Sequence, residues 1–191
     1  MLLPDCTLFP HGALPLRIFE PRYREMLEDA IQGAAMFAVA RLVDPDAIEP
    51  AEMAAPVGTI GLIRSSRTQA DGDSLLLLHG VIRVRFPRWL AGKPYPLAEI
   101  EPIPSFFEPP ARAAAATATL RGMAEDYVAD QAADVRTAVH HLIHRTDDPA
   151  VLCDVIAQQF LQDPDFRQEL LESEPVAARI ALLCKYLARP A

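Results

Sequence analysis

Residues 8–27, LFPHGALPLRIFEPRYREML, decide how this chain is read. Leu14, Leu16 and Ile18 alternate with Pro15 and Arg17, the two-residue period of a strand with one buried face. Glu20-Pro21 then opens a helix. Proline at the first helical position has no N–H to leave unsatisfied, and a carboxylate there meets the positive end of the helix dipole. Tyr23, Met26, Leu27, Ala30 and Ile31 follow at i, i+3, i+4, i+7 and i+8, one apolar stripe. The pattern predicts a helix with Tyr23 and Leu27 buried against strands. Gly33 is placed to end it in the left-handed conformation.

Outward from this stretch, the first hundred residues read as strands. Met36 to Leu42 is an apolar strand, and 44–57, rich in prolines and acids, reads as a surface loop. Gly58 to Thr68 and Asp73 to His79 flank a turn at Gln69-Ala70-Asp71-Gly72, a hairpin signal because Asp-Gly tolerates positive φ. Gly80 interrupts the pattern and predicts a bulge or bend. Ile82, Val84 and Phe86 resume the alternation, and Leu97 to Ile103 supplies one more strand.

Composition changes near residue 104. Pro102, Pro104, Pro109 and Pro110 make a stiff connector that neither a central strand nor a helix interior accepts. Beyond it come helices: a stripe of Ala113, Ala116, Leu120, Met123 and Tyr127; a shorter one over Val135 to His144; two more opening at Asp148-Pro149 and Asp163-Pro164; and a last one carrying Val176 to Leu187. The chain therefore reads as α+β, with a β-rich lobe over 1–104 and a helical lobe over 105–191.

The opening stretch also carries a resemblance. Pro15, Leu16, Ile18, Phe19, Glu20, Pro21, Arg22 and Tyr23, with Leu8-Phe9-Pro10 upstream, resemble the start of the Lon amino-terminal domain. That domain is the substrate-recognition portion of Lon-type ATP-dependent proteases and also occurs as a free-standing protein. Weaker matches follow in order: Pro56 to Gly61, Asp71-Gly72, Gly80 with Arg83, and Tyr95 to Pro102. Val84 stands where the family usually has Phe. The resemblance covers roughly residues 7–187. It implies a PUA-like, mostly antiparallel β pseudo-barrel with one early helix, followed by a C-terminal helical bundle. It also implies a protein that binds other proteins and supports oligomer assembly.

The residues that would carry chemistry are missing. The only Gly-Lys, Gly92-Lys93, is followed by Pro94 and lacks the upstream glycine of a phosphate loop. Lys93 and Lys185 are the only lysines, and neither sits beside a serine nucleophile. His140 and His144 lie four apart on one helix face, the spacing of zinc-binding pairs. His141 adjoins them, but no H-E-x-x-H pattern and no third ligand is marked, so neither a metal nor a cofactor is assigned. Cys153 and Cys184 fall on apolar stripes, as buried inert thiols do.

The net charge of −8 disfavours nucleic acid as main partner, because an acidic surface repels a phosphate backbone. Arg83, Arg85, Arg88 and Lys93 form one basic run, the basis for an alternative reading as an RNA-binding PUA-like lobe. Pairing of Arg83 and Arg85 with Glu99 and Glu101 on the next strand would consume that charge. No apolar run is long enough to span a membrane, and no secretory signal opens the chain. Three widely spaced cysteines read as reduced thiols of a cytoplasmic protein. Trp89, Tyr95, Phe106 and Phe107 gather around the proline-rich connector. They are candidate contact surface for unfolded or extended segments of other proteins or for a second copy, and equally candidate mortar between lobes. The expectation is a non-enzymatic protein-binding or adaptor module.

Overall fold

The computed structural model describes residues 1–107 and 109–188. They divide into two compact units, Met1–Pro104 and Ser105 onward. The first contains strands β1 (Leu2–Pro4), β2 (Ala13–Ile18), β3 (Met36–Leu42), β4 (Val57–Thr68), β5 (Ser74–Leu90) and β6 (Leu97–Ile103), with helices α1 (Pro21–Gln32) and α2 (Pro50–Met53). One mixed sheet runs β1-β3-β4-β5-β2, with β6 also on β5. All its ladders are antiparallel except β1 on β3. The fold is α+β, and among the described residues no ladder joins the two ends of the sheet path.

The motif of residues 8–27 forms as its pattern predicts. β2 alternates exposed and covered residues, with Ile18 buried at its end. Glu20 precedes α1 and Pro21 opens it; Tyr23, Met26 and Leu27 are buried. Glu20 makes no capping bond with its side chain and instead accepts from Arg22 Nε at 2.8 Å. Two details differ. Ile31 is half exposed, because the stripe outruns the sheet that covers it. Gly33 has φ −100°, and the left-handed residue is Ala35 at φ 55°, whose N–H closes onto Ala30 O at 2.8 Å. The helix ends at Gly33 as the glycine suggests, but the left-handed turn comes two residues later.

The β4–β5 hairpin turns through Gly72 at φ 83°, with the Gln69 N–H donating to Asp73 O at 2.7 Å. At Gly80 the register shifts: Ile60 pairs with Ile82 but Gly61 with Gly80, which leaves Val81 bulged. A Cβ on Gly80 would lie 2.0 Å from Phe9 O. The residue is glycine because residues 9–12 cross β5 there, exchanging His11 N–H to Gly80 O and Gly80 N–H to Gly12 O, both 2.8 Å. The bend lets one edge of β5 serve two partners, β2 along Ser74–His79 and β6 along Arg83–Leu90.

Two elements have no counterpart in the sequence pattern. β1 is three residues long, held by Tyr23, whose hydroxyl accepts from Leu2 N–H at 3.2 Å and donates to Leu2 O at 3.1 Å. α2 is a single turn within the proline-rich loop, opened by Pro50. The core of this unit joins α1 to the sheet through Leu8, Ile18, Met26, Leu27, Val39 and Leu78. Asp73, almost buried, accepts from Arg17 Nε on β2 at 2.7 Å and from Arg24 on α1 at 2.6 Å, tying helix and hairpin together.

The second unit holds a 3-10 turn (Pro110–Arg112) and helices α3 (Ala113–Tyr127), α4 (Ala133–Ile143), α5 (Pro149–Phe160), α6 (Pro164–Glu172) and α7 (Val176–Leu187). Asp148 and Asp163 cap α5 and α6, each accepting from the two backbone N–H groups past the proline. α3 buries Thr117, Leu120 and Ala124. The core collects Leu120, Ile143, Leu152, Ile156, Leu170 and Leu183, all fully covered. Arg179 and Asp154 form an ion pair within it, 3.6 Å apart.

Candidate functional site

The β unit carries an apolar cleft of about 620 Å³. Its floor is formed by β3, β4 and β5, and at Met1, Met26, Phe37 and Tyr95 it reaches the edge of the core. Val39 of β3 packs into the core, while Met36, Phe37, Ala38 and Ala40 line the cleft with Ile60, Val81 and Ile82. One wall is α1, through Met26, Asp29 and Ala30; the other is Trp89 and β6, through Leu97, Ala98 and Ile100. The space exists because Ala30, Ala34, Ala38, Ala40 and Ala98 meet where larger side chains would fill it. Met36 is 41%, Val81 42% and Ile100 46% exposed. Three large apolar side chains on strands, left open in one cleft, form the kind of patch that marks a contact site.

Tyr95 and Trp89 border this cleft and a second one of about 450 Å³, lined also by Tyr23, Met53 and Pro94. Tyr95 is buried, and its hydroxyl donates to Asp29 Oδ2 at 2.5 Å. Lys93 donates to the same carboxylate at 2.6 Å. These bonds, Lys93 first and then Tyr95, hold the Asp29 carboxyl below its ordinary range, while Asp29 pushes the Lys93 ammonium above its own. The loop between β5 and β6 is thereby pinned to α1. Trp89 is half-buried and leans on Phe86, ring centroids 5.2 Å apart. Of the four candidate aromatics, these two line the clefts; Phe106, exposed, and Phe107, half-buried, lie at the start of the helical unit. The alanines and the exposed Met36, Val81 and Ile100 escaped sequence reasoning, because the face a strand residue takes is fixed only once register and bulge are known.

The basic run does not form a strip. Arg83 is 1% exposed, opposite Ile103 rather than a glutamate, with its guanidinium 6.0 Å from the Phe9 ring. The expected placement of Arg83 opposite a glutamate gives way to Ile103, because β5 is buried on both faces at Arg83 and Val84. Arg85 does stand opposite Glu101 and Arg88 opposite Glu99, with Arg88 and Glu99 ion-paired.

In the helical unit, Glu125 of α3 joins His140 and His144: the ligating atoms of the three lie within 4.8 Å of one another. Sequence spacing found the histidines but not the carboxylate, which packing of α3 on α4 supplies. Cys153 is buried, and burial pushes the Cys184 thiol up, away from a reactive thiolate. No helix among the described residues is long and apolar enough to cross a membrane.

Comparison with known proteins follows the same line. The family profile of the ATP-dependent protease La (LON) substrate-binding domain matches residues 1–189. Lon protease 2 of Sorangium cellulosum is 26% identical over 98% of this chain, and a Lon protease of Koribacter versatilis 24% identical over 98%. The chain spans about a quarter of the length of these relatives, 24% in each. Among solved structures, the N-terminal domain of a Mycobacterium avium complex Lon protease superposes with a TM-score of 0.79 at 17% identity, covering 100% of this chain and 97% of that one. A Lon N-terminal domain protein from Xanthomonas campestris superposes with 0.68 at 21% identity, covering 97% and 96%.

Proposed function

We propose that this chain, which belongs to the Lon substrate-binding domain family, captures extended apolar segments of other proteins in the cleft of its β unit and performs no chemistry of its own. The carrying observation is the exposure of Met36, Val81 and Ile100 around one 620 Å³ cleft. That volume lies in the range of pockets that enclose a small molecule or a few side chains. β6 pairs with β5 on one side only among the described residues. An extended segment laid along the other side of β6 would gain main-chain hydrogen bonds and direct alternate side chains toward the cleft. The relatives named as proteases give the class of client, a polypeptide. The cytoplasm is the proposed setting, where Cys6, Cys153 and Cys184 stay reduced.

The test is capture of a permanently unfolded, fluorescently labelled polypeptide by the purified chain. Met36→Asp with Ile100→Asp places two charges in the cleft, at positions exposed enough to spare the fold. Capture should fall about tenfold or more, as the loss of central apolar contacts does. Phe19→Ser, at an exposed position that lines neither cleft, should leave capture unchanged. Equal capture by the double variant would move the binding surface elsewhere. Arg88 in an ion pair and Arg83 under Phe9 lend no support to an RNA-binding reading.

A further inference from the structure

We propose that Glu125, His140 and His144 form a surface site for one divalent transition-metal ion of the zinc class. The site is built by packing within the helical unit. Arg121, one turn before Glu125 on α3, donates from Nε to Ile143 O at 3.0 Å and from its guanidinium to Thr146 O at 2.6 Å. Those bonds satisfy carbonyls at the end of α4 and fix α3 against it. Four residues on, Glu125 is delivered beside the last turn of α4, where His140 and His144 share a face with ring centroids 4.1 Å apart.

Two imidazoles and one carboxylate, with a coordination position left for water, make a donor set suited to zinc. His140 Nδ1 lies 2.9 Å from Glu125 Oε1. Two ligands on a tetrahedral zinc sit about 3.3–3.5 Å apart, from metal–ligand bonds near 2.0–2.1 Å. An ion can therefore take the place of the proton shared between them. His144 Nδ1 is held 3.0 Å from the His140 carbonyl oxygen. That bond fixes Nδ1 as the protonated nitrogen and leaves Nε2 with its lone pair outward, as in metal-bound histidines whose other ring N–H donates to a carbonyl. The candidate ligand atoms of the three residues lie within 4.8 Å of one another; binding draws the wider separations in and opens the His140–Glu125 pair by about half an ångström. Exposed side chains make that adjustment by rotation. His141, the neighbouring residue, is not part of the cluster. A bound ion would staple α3 to α4 across the loop between them.

The experiment is titration of the full, reduced chain with Zn²⁺ by calorimetry, paired with thermal melts. The wild type should bind one ion and melt higher with zinc, by roughly 5 °C or more at a hundredfold excess over Kd. His140→Ala with His144→Ala should weaken affinity at least tenfold and abolish the shift. Glu125→Gln should weaken it about tenfold, as loss of a carboxylate partner does. His141→Ala should bind as the wild type does. Because all four side chains are exposed, the variants keep the fold, and circular dichroism verifies it. Zinc affinity unchanged in the double variant, or unchanged in Glu125→Gln, overturns the site; so does a wild type that binds no zinc at millimolar concentration.

Discussion

Tyr23 holds the first strand in place by using its hydroxyl twice, as acceptor from Leu2 N–H and donor to Leu2 O. Burial leaves the hydroxyl little access to water and raises its pKa. In Tyr23→Phe both Leu2 groups lose that partner in a covered position, at a cost of about 1–3 kcal/mol. Urea unfolding should show the midpoint lowered with an unchanged slope. Gly80 acts by the opposite means, through what it lacks. Alanine there would drive a methyl into Phe9 O, and Gly80→Ala should cost about 3 kcal/mol by overpacking against backbone that cannot yield. The same measurement decides it, since stability equal to the wild type would mean that residues 9–12 swing away freely. Tyr23 was legible from the motif as a buried residue. Its partner was not, because a three-residue strand has no period to read.

At the scale of elements, the Asp29–Lys93–Tyr95 cluster ties α1 to the loop between β5 and β6. The folded state holds the Asp29 carboxyl below its ordinary 3.8. Its contribution to stability is therefore complete above pH 3.8 and is lost as pH falls through the depressed value. Lys93 is held above its ordinary 10.5, so its share is complete below pH 10.5 and is lost as pH climbs through the raised value. The melting difference between the wild type and Asp29→Asn should be level from about pH 5 to 9, between the ordinary carboxylate and ammonium ranges, and shrink toward both extremes. A difference that grows in acid would assign the pinning to other groups. Several elements were legible: β3 from its apolar run, the β4–β5 hairpin from Asp71-Gly72, α5 and α6 from their Asp-Pro starts. The strand past Gly80 was legible as a strand, but the burial of its faces was not, because alternation presumes one solvent face. Both Arg83 and Val84 are buried there.

At the scale of the molecule, the features proposed to bind something fall in different units and became legible to different degrees. The cleft needed the register of β3, β4 and β5, which no local pattern carries. The histidine pair was visible in the sequence, but Glu125 reaches it only through tertiary packing of α3 and α4. Every cleft-lining residue, and the core of Leu8, Ile18, Met26, Leu27, Val39 and Leu78 beneath it, lies within Met1–Pro104. About a hundred residues suffice for a single core. Residues 1–104 produced alone should therefore fold cooperatively and capture an unfolded polypeptide with an affinity within about threefold of the full chain, since affinity is set by the central contacts. Binding to the fragment and to the whole chain, measured by fluorescence anisotropy with the same labelled client, checks this. A folded fragment that binds tenfold more weakly would show that the helical unit takes part in capture. Phe106 and Phe107 at its start would then be the side chains to substitute first. Equal binding by the fragment would leave those two aromatics without a part in client recognition and concentrate it on the cleft bordered by Trp89 and Tyr95.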